Sequence, residues 1–113
     1  MVTLTNVGTS YDATAASQGL GVGLVNFTGV TQVVFRVRVQ KVGNGTQSWQ
    51  LWNETDSTEI GVIADVGAAG VRSLEATFPV SLTGIKAIRV RAKSTTGADD
   101  PVFLGAAILT VGT

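Results

Sequence analysis

Carboxylates are the first candidates for chemistry in this sequence. They cluster in two places: Glu54, Asp56 and Glu59 in one segment, and Asp99 with Asp100 in another. Calcium needs about six to eight oxygen ligands, and neither cluster has the spacing of a calcium-binding loop. A glycosidase needs two carboxylates roughly 5 to 10 Å apart across a cleft, for which a domain of this length has little room. We therefore expect solvated loop charges here, and no catalytic or metal site.

Two residue types that carry much of protein chemistry are missing. The chain contains 0 His and 0 Cys. Histidine is the commonest general base and transition-metal ligand, and cysteine supplies thiol nucleophiles and iron–sulfur ligands. The segment Gly19 to Gly23, GLGVG, resembles a phosphate-binding loop, but no helical pattern follows it, as a dinucleotide fingerprint requires. The sequence thus predicts a protein that is not an enzyme and holds no cofactor.

Three aromatic residues could form a stacking platform for sugars: Tyr11, Trp49 and Trp52. Successive side chains of a strand alternate between its two faces, so Trp49 and Trp52 are expected on opposite sides. At least one tryptophan should therefore lie outside the core. A single outward tryptophan is more typical of an interface anchor than of a sugar platform, and glycan binding is kept as the alternative.

Basic residues form two outward stripes. Arg36 and Arg38 alternate with apolar residues in one segment, and Arg89, Arg91 and Lys93 do so in another. The 8 Lys and Arg residues are balanced by 8 Asp and Glu residues. This balance argues against a nucleic-acid partner and against binding to an anionic membrane surface.

Two interpretations of these stripes remain. They could be a solvated sheet face with cross-strand ion pairs, for example between Glu75 and an arginine. They could instead be a protein–protein contact, where the planar arginine side chain pairs with carboxylates. On the second interpretation the candidate interface residues are Arg36, Arg38, Trp52, Arg89 and Arg91.

Alternation with a period of two residues dominates the chain. Val, Thr and Ile number 17, 15 and 5, and these β-branched residues favour strands over helices. Thr31 to Lys41 and Ile85 to Lys93 alternate most clearly. The inward residues of these two strands are predicted to be Val33, Phe35, Val37, Val39, Ile88, Val90 and Ala92.

Further strands fit between turn signals. They are Val2 to Asn6, Gly19 to Thr28 (a glycine-dotted bulged or edge strand), Ser48 to Asn53, Glu59 to Ala64, Val71 to Val80 and Val102 to Val111. The Asn44-Gly45 pair between Val42 and Thr46 predicts a tight hairpin. About seven or eight strands in 113 residues predict a single all-β domain, an antiparallel β-sandwich that is jelly-roll-like, with an immunoglobulin-like sandwich as the runner-up. The expected core includes Phe35, Val37, Leu74, Phe78, Ile88 and Val90.

The N-terminus and the charge content suggest where the protein works. Met1 to Gln18 contains no Lys or Arg, so no secretory signal is predicted. No window approaches the roughly 18 consecutive apolar residues of a membrane span. Charged residues make up 14% of the chain and the formal net charge is zero, which leaves little repulsion between copies. We expect a protein made in a cytoplasm and buried in an assembly.

The stretch from Val33 to Leu109 resembles small β-sandwich structural proteins of tailed bacteriophages. The resemblance rests on VFRVRVQKVGNGTQSWQLWNETDSTEIG and FPVSLTGIKAIRVRAKSTTGADDPVFLGAAI. These segments combine Val/Thr/Gly-rich strands, a Trp-x-x-Trp spacing, basic strands and an apolar C-terminal strand. Such proteins are non-enzymatic virion components, and the resemblance carries over no catalytic residues.

The resemblance implies a capsid decoration or cement protein. It would dock on the assembled major capsid protein, stabilise the shell by mass action and sit in the virion, with a homotrimer as the favoured state. The alternatives are a carbohydrate-binding module that recognises host surface glycans and a tail or fibre structural domain. The expected partners are therefore the chain itself and a virion protein, with a glycan possible and with no nucleic acid or membrane.

Overall fold

Two four-stranded antiparallel sheets pack face to face. The computed structural model describes residues 2–3, 22–95 and 101–112, and in these residues strands follow one another with no helix between them. The strands are β1 (Val2–Thr3), β2 (Val22–Asn26), β3 (Val30–Lys41), β4 (Gln47–Asn53), β5 (Thr58–Asp65), β6 (Gly70–Pro79), β7 (Ile85–Ser94) and β8 (Val102–Gly112). The predicted all-β sandwich is confirmed.

The strand order identifies the sandwich as a jelly roll. Sheet A has the order β1-β8-β3-β6, and sheet B has the order β2-β7-β4-β5. Among the described strands, β4 and β5 alone are neighbours both in sequence and in a sheet, and every other pair of consecutive strands lies in different sheets. This is the double-sheet jelly-roll arrangement, so the favoured topology is confirmed over the immunoglobulin-like alternative.

The core lies between the inner faces of the two sheets. In β3 the apolar residues Val33, Phe35, Val37 and Val39 are fully buried, because alternation turns all of them toward sheet B. Sheet B contributes buried Trp49, Leu51, Ile88, Val90 and Ala92. The Trp49 ring on sheet B lies 6.0 Å from the Phe103 ring on sheet A, measured between centroids. This aromatic contact joins the two sheets.

The edge strand β6 encloses the core less completely than predicted. Leu74 and Phe78 point inward, as expected, but they are half-buried. Of the six expected core residues, the four on β3 and β7 are fully buried. Leu74 and Phe78 only pack against the rim of the core, because β6 has a neighbouring strand on one side alone. The glycine-dotted strand β2 is likewise an edge strand, as predicted; residues 19–21 lie outside the described part of the chain.

The predicted hairpin at Val42 to Thr46 is wrong. The strands that this segment connects, β3 and β4, lie in different sheets, so the segment crosses from one sheet to the other. Of its residues only Gly43 has a positive φ, of 79°. The Gln47 side chain closes the turn: its Nε2 donates to the Val42 carbonyl (2.6 Å), and its Oε1 accepts from the Val42 amide (3.3 Å). A buried side chain thus replaces the strand pairing that a hairpin would supply.

A cluster of charged side chains holds the crossing from β5 to β6. Asp65 and Lys41 are both 2% exposed. Arg72 donates to the Asp65 carboxylate and to the Ala68 carbonyl, and the Lys41 ammonium donates to the Gly67 carbonyl. Backbone groups of the connection are thereby satisfied where no strand neighbour is present. The cluster fixes the end of the sandwich that also carries the β3–β4 crossing.

Candidate functional site

The outer face of sheet B carries, within the described residues, a tryptophan together with polar side chains that could contact a ligand. Alternation places every second residue of β4 and β7 on the outer face and the intervening residues in the core. On β4, Ser48 and Gln50 are nevertheless covered, at 7% and 5% exposed, and Trp52 is half-buried. We call this surface the Trp52 face. Its members are Ser48, Gln50 and Trp52 on β4, Glu59 on β5, and Arg89, Arg91 and Lys93 on β7.

Trp52 and Arg91 form the centre of this face. The guanidinium carbon of Arg91 lies 4.4 Å from the centroid of the Trp52 ring, which is within the range of a cation–π contact. Trp49 is 0% exposed, whereas Trp52 keeps part of its surface exposed. The predicted opposite placement of the two tryptophans is confirmed. Trp49 and Trp52 cannot belong to one aromatic platform, because the Trp49 side chain lies in the core. The third candidate, Tyr11, lies outside the described residues.

Hydrogen-bonding side chains surround the Trp52 ring. Arg89, Trp52 and Glu59 are aligned across three adjacent strands. Gln50 lies beside Trp52 on the same face, and its Nε2 donates to Glu59 Oε1 at 2.9 Å. β5 carries a bulge, which appears as a register shift between Leu51 and Trp52 in the pairing of β4 with β5. This bulge turns Glu59 toward the outer face. The aromatic surface is thus bordered by an amide, a carboxylate and two guanidinium groups.

The β4–β5 turn closes one end of the Trp52 face. The Glu54 amide donates to the Ala87 carbonyl, and the Ala87 amide donates to Thr55 Oγ1, both at 2.8 Å. Glu54 Oε2 lies 3.5 Å from Arg89 Nε. These contacts hold the turn against the start of β7. Arg89 is therefore positioned from the turn as well as from its own strand.

Asp56 is the anchor of this turn. Its Oδ2 accepts from Asn53 Nδ2 and lies 2.9 Å from Lys86 Nζ. The hydrogen bond from Lys86, and then the one from Asn53, lower the pKa of Asp56 below its ordinary value of 3.8. Ser57 completes the turn with a positive φ of 53°. Asp56 thus has a structural role in the turn, consistent with the expectation of loop carboxylates.

A depression lies at the opposite end of the same face. It has a volume of about 290 Å³ and is lined by Thr46, Ser48, Lys93, Ser94 and Thr95. Two hydrogen bonds join its walls: the Thr95 amide donates to the Thr46 carbonyl (3.0 Å), and the Thr46 amide donates to Thr95 Oγ1 (2.9 Å). Its lining combines hydroxyl groups with one ammonium group. Sequence reasoning missed this depression, because its walls come from two loops and two strands.

The outer face of sheet A carries the other two candidate interface residues. Arg36 donates to Glu75 across β3 and β6, with Nε 2.8 Å from Oε2, so the predicted cross-strand pair between Glu75 and an arginine is confirmed. Arg38 donates to Ser73 at 3.1 Å. Leu109, from the adjacent β8, is 63% exposed on the same face. We call this surface the Leu109 face.

The five candidate interface residues therefore do not share one surface. Arg36 and Arg38 lie on the Leu109 face, whereas Trp52, Arg89 and Arg91 lie on the Trp52 face. The two faces point away from each other, because each is the outer side of one sheet of the sandwich. Any contact that uses all five residues would have to engage both sides of the domain.

The carboxylates named from the sequence do not form a metal site in the described residues. Across residues 2–3, 22–95 and 101–112, no three His, Cys, Asp or Glu side chains come together in a way that could hold a metal ion. Glu54, Asp56 and Glu59 instead contact Arg89, Lys86 and Gln50. Asp99 and Asp100 lie outside the described residues. In that described part the chain also has no helix long and apolar enough to cross a membrane.

Comparisons with known proteins find the fold in solved structures only. No protein-family model matches the chain, and no curated protein matches it. A carbohydrate-binding module of a Cellvibrio mixtus lichenase, solved with cellotriose, is 18% identical, with a TM-score of 0.57 over 83% of this chain and 66% of the module. The chain thus spans just under two thirds of that module. A carbohydrate-binding module solved with calcium and xylotriose is 17% identical, with a TM-score of 0.60 over 78% of this chain and 71% of the module.

Two further structures show how widely this fold is shared. The C-terminal domain of EclA, described as a sugar-binding protein, is 15% identical, with a TM-score of 0.53 over 96% of this chain and 74% of that domain. Eiger TNF from S. frugiperda is also 15% identical, with a TM-score of 0.53 over 78% of this chain and 62% of that protein. Identities this low show the shared jelly-roll fold alone.

Proposed function

We propose that this protein is a non-catalytic carbohydrate-binding module that binds an oligosaccharide on the Trp52 face. The observation that carries the proposal is the contact between Trp52 and Arg91, which holds an indole ring on the outside of a sheet. A sugar ring has an apolar face of C–H groups and a rim of hydroxyl groups. It fits a surface where an aromatic ring lies among side chains that donate and accept hydrogen bonds.

The surroundings of Trp52 supply such groups on both sides. Glu59 lies on β5, and Arg89 and Arg91 lie along β7. Gln50 on β4 is buried and holds Glu59 in place through its hydrogen bond. Their positions are fixed by the contacts with Glu54, Trp52 and one another. A surface whose side chains are already ordered loses less entropy when a ligand binds. The similarity in fold to carbohydrate-binding modules supports this proposal over capsid decoration.

Calorimetric titration with oligosaccharides tests the proposal. Neutral trisaccharides such as cellotriose and xylotriose, and acidic ones such as trigalacturonate, would be titrated into the purified protein. We expect at least one to bind the wild-type chain and none to bind Trp52→Ala. The matched control is Arg36→Ala, on the opposite face, which should bind as the wild type does. Absence of binding by the wild-type protein across a broad glycan array would overturn the proposal.

A second candidate function is docking on a larger assembly, as expected for a decoration protein of a phage capsid. It is supported by the Leu109 face, where Leu109 and Val71 are 63% and 51% exposed on either side of the Arg36–Glu75 pair. Exposed apolar side chains of this kind occur at protein contacts. Binding of the purified protein to undecorated capsids, with a raised melting temperature of the shell, would support this candidate. If Leu109→Glu loses capsid binding and keeps glycan binding, capsid docking belongs to the Leu109 face and glycan binding to the Trp52 face.

A further inference from the structure

Strand β8 has an open edge beside the Leu109 face. In sheet A it pairs along its length with β3 on one side, and on the other side it pairs with β1 at Val102 and Phe103. β1 runs from Phe103 toward Val102, away from the rest of β8. Among the residues that the structure describes, the backbone groups that point to this side of β8 beyond Phe103 therefore have no strand partner. Such a row of amides and carbonyls is a template for another strand.

The open edge is regular and uncharged. From Gly105 to Val111, β8 pairs with β3 without a register shift. This run reads GAAILTV and contains no charged residue and no proline. Edge strands are usually protected by charges, by proline or by being short. The other described edges follow that rule: β6 contains two charged residues and a proline, β5 contains two carboxylates, and β2 is five residues long.

The side chains of the run are complementary to a second copy of the same run. On the Leu109 face they are Gly105, Ala107, Leu109 and Val111, two small residues followed by two large ones. Two identical antiparallel strands related by a two-fold axis pair over the whole run when the axis passes through its midpoint, Ile108. Gly105 then lies opposite Val111 of the second copy, and Ala107 lies opposite Leu109. Each cross-strand pair thus combines a small side chain with a large one.

The surface of the Leu109 face fits this pairing. Leu109 and Val111 are 63% and 38% exposed. A hollow of about 310 Å³ has Ala107 in its lining, and a second hollow of about 180 Å³ has Gly105 in its lining. Leu109 and Val111 of a second copy would lie beside these hollows and would be removed from water. The formal net charge of zero leaves little long-range repulsion between two copies.

We infer that the protein forms a two-fold symmetric dimer in which β8 pairs with β8 of a second copy, so that the two A sheets become one continuous sheet. The occupant of the edge is a second copy because the run complements its own reversed order of small and large residues. This dimer takes the place of the homotrimer that the resemblance to phage proteins implies.

The dimer has a consequence for ligand binding. Its axis is perpendicular to the joined sheet, so both B sheets lie on the same side of that sheet and both Trp52 faces point the same way. Two glycan sites with a common orientation would engage a glycan-coated surface together and gain avidity. This consequence rests on the proposed function, whereas the dimer itself does not.

Analytical ultracentrifugation over a range of protein concentrations tests the dimer. We expect the wild-type monomer to be in reversible equilibrium with a species of twice its mass. Ala107→Lys places one lysine of each copy beside the axis and should weaken dimerisation at least about tenfold. The matched control is Thr77→Lys, which adds the same charge to the same face on the opposite edge strand, β6. It should associate as the wild type does.

Disulfide cross-linking tests the register, because the chain has no cysteine of its own. Opposite residues of antiparallel strands have Cα atoms about 4.5–5.5 Å apart, within the range of a disulfide. A mixture of Ala106→Cys and Thr110→Cys should therefore form a covalent heterodimer under mild oxidation. Either variant alone should stay uncross-linked, because its two copies would be offset by roughly 13 Å along the strands. Both residues are exposed, so the variants should fold as the wild type does.

The outcomes separate the dimer from its alternatives. A protein that is monomeric at every concentration would overturn the dimer, and protection of the amides of residues 105–111 from hydrogen exchange in that monomer would assign the edge to another segment of the same chain. Equal association of the wild type and Ala107→Lys would overturn the role of β8. Cross-linking of either variant alone, without the heterodimer, would overturn the register. Absence of binding to every sugar would overturn the proposed function and leave the dimer intact.

Discussion

The guanidinium of Arg91 on β7 packs 4.4 Å from the ring centroid of Trp52 on β4. Gln50, the residue that register pairs with Arg91, lies two positions before Trp52. The cation–π contact is therefore a diagonal one across neighbouring strands, within reach of long side chains. It contributes about 0.5–1 kcal/mol at a partly exposed position and, more important for function, fixes the orientation of the indole.

The first prediction concerns the contact between Gly61 and Phe78. Gly61 on β5 is buried, and a Cβ added there would overlap the Phe78 ring on β6. Gly61→Ala should therefore destabilise the protein by about 1–3 kcal/mol through overpacking. Urea denaturation followed by far-ultraviolet circular dichroism measures this change.

The same pair supplies its own control. Phe78→Ala removes the ring and should itself be destabilising, by less than the roughly 3–5 kcal/mol of a fully buried phenylalanine, because Phe78 is half-buried. In that background Gly61→Ala should cost much less than in the wild type. Equal costs in the two backgrounds would show that the ring does not press on Gly61.

The second prediction compares a buried ion pair with an exposed one. Asp65 is 2% exposed and accepts a hydrogen bond from Arg72. Asp65→Ala should destabilise the fold by about 3 kcal/mol, because it leaves the Arg72 guanidinium without its carboxylate. Glu75→Ala breaks the exposed pair with Arg36 and should cost under about 1 kcal/mol. Similar losses in the two variants, measured by urea denaturation, would contradict this account of the β5–β6 crossing.

The third prediction is a pH dependence that comes from Asp56. Its pKa is lowered in the folded state by the hydrogen bonds from Lys86 and Asn53. A group with a lowered folded pKa stabilises the protein above its unfolded pKa, and this stability is lost as the pH falls through the folded pKa. The wild type should therefore exceed Asp56→Asn in melting temperature at about pH 6, and the difference should shrink below about pH 4. A difference that stays constant with pH would rule out this role.

The fourth prediction is that stability does not depend on a metal ion. The described carboxylates are bound to basic or amide side chains. EDTA should therefore leave the melting temperature unchanged. A fall of several degrees that calcium restores would contradict this prediction and would implicate the sequence-predicted clusters Glu54, Asp56 and Glu59 or Asp99 and Asp100.

The alternation in the sequence predicts the strands and the inward residues well, because burial in a two-sheet fold imposes a period of two. It predicts that Trp49 and Trp52 lie on opposite faces, and the structure shows Trp49 in the core and Trp52 on the outer face. It could not assign a strand to a sheet, since outward residues of both sheets alternate in the same way. For that reason Arg36 and Arg89 were grouped in one candidate interface although they lie on opposite faces.

Local sequence also failed where long-range contacts decide the structure. The Asn44-Gly45 pair indicates a hairpin, but jelly-roll topology places β3 and β4 in different sheets. Strict alternation would place Glu59 on the same side as the inward Gly61, and the bulge in β5 turns it outward instead. The depression at Lys93 could not be predicted from the sequence either, because the residues that line it are far apart in the chain, at positions from 46 to 95.

The most direct test of carbohydrate binding on the Trp52 face uses the two tryptophans as separate reporters. Each indole N–H gives one signal in a nitrogen–proton NMR spectrum, and Trp52→Phe assigns them. On titration with the oligosaccharide that binds best, we predict that the Trp52 signal shifts, together with the amides of β4 and β7. The signal of buried Trp49 and the amides of the Leu109 face should stay in place. Shifts confined to the Leu109 face, or no shift with any sugar, would contradict the account.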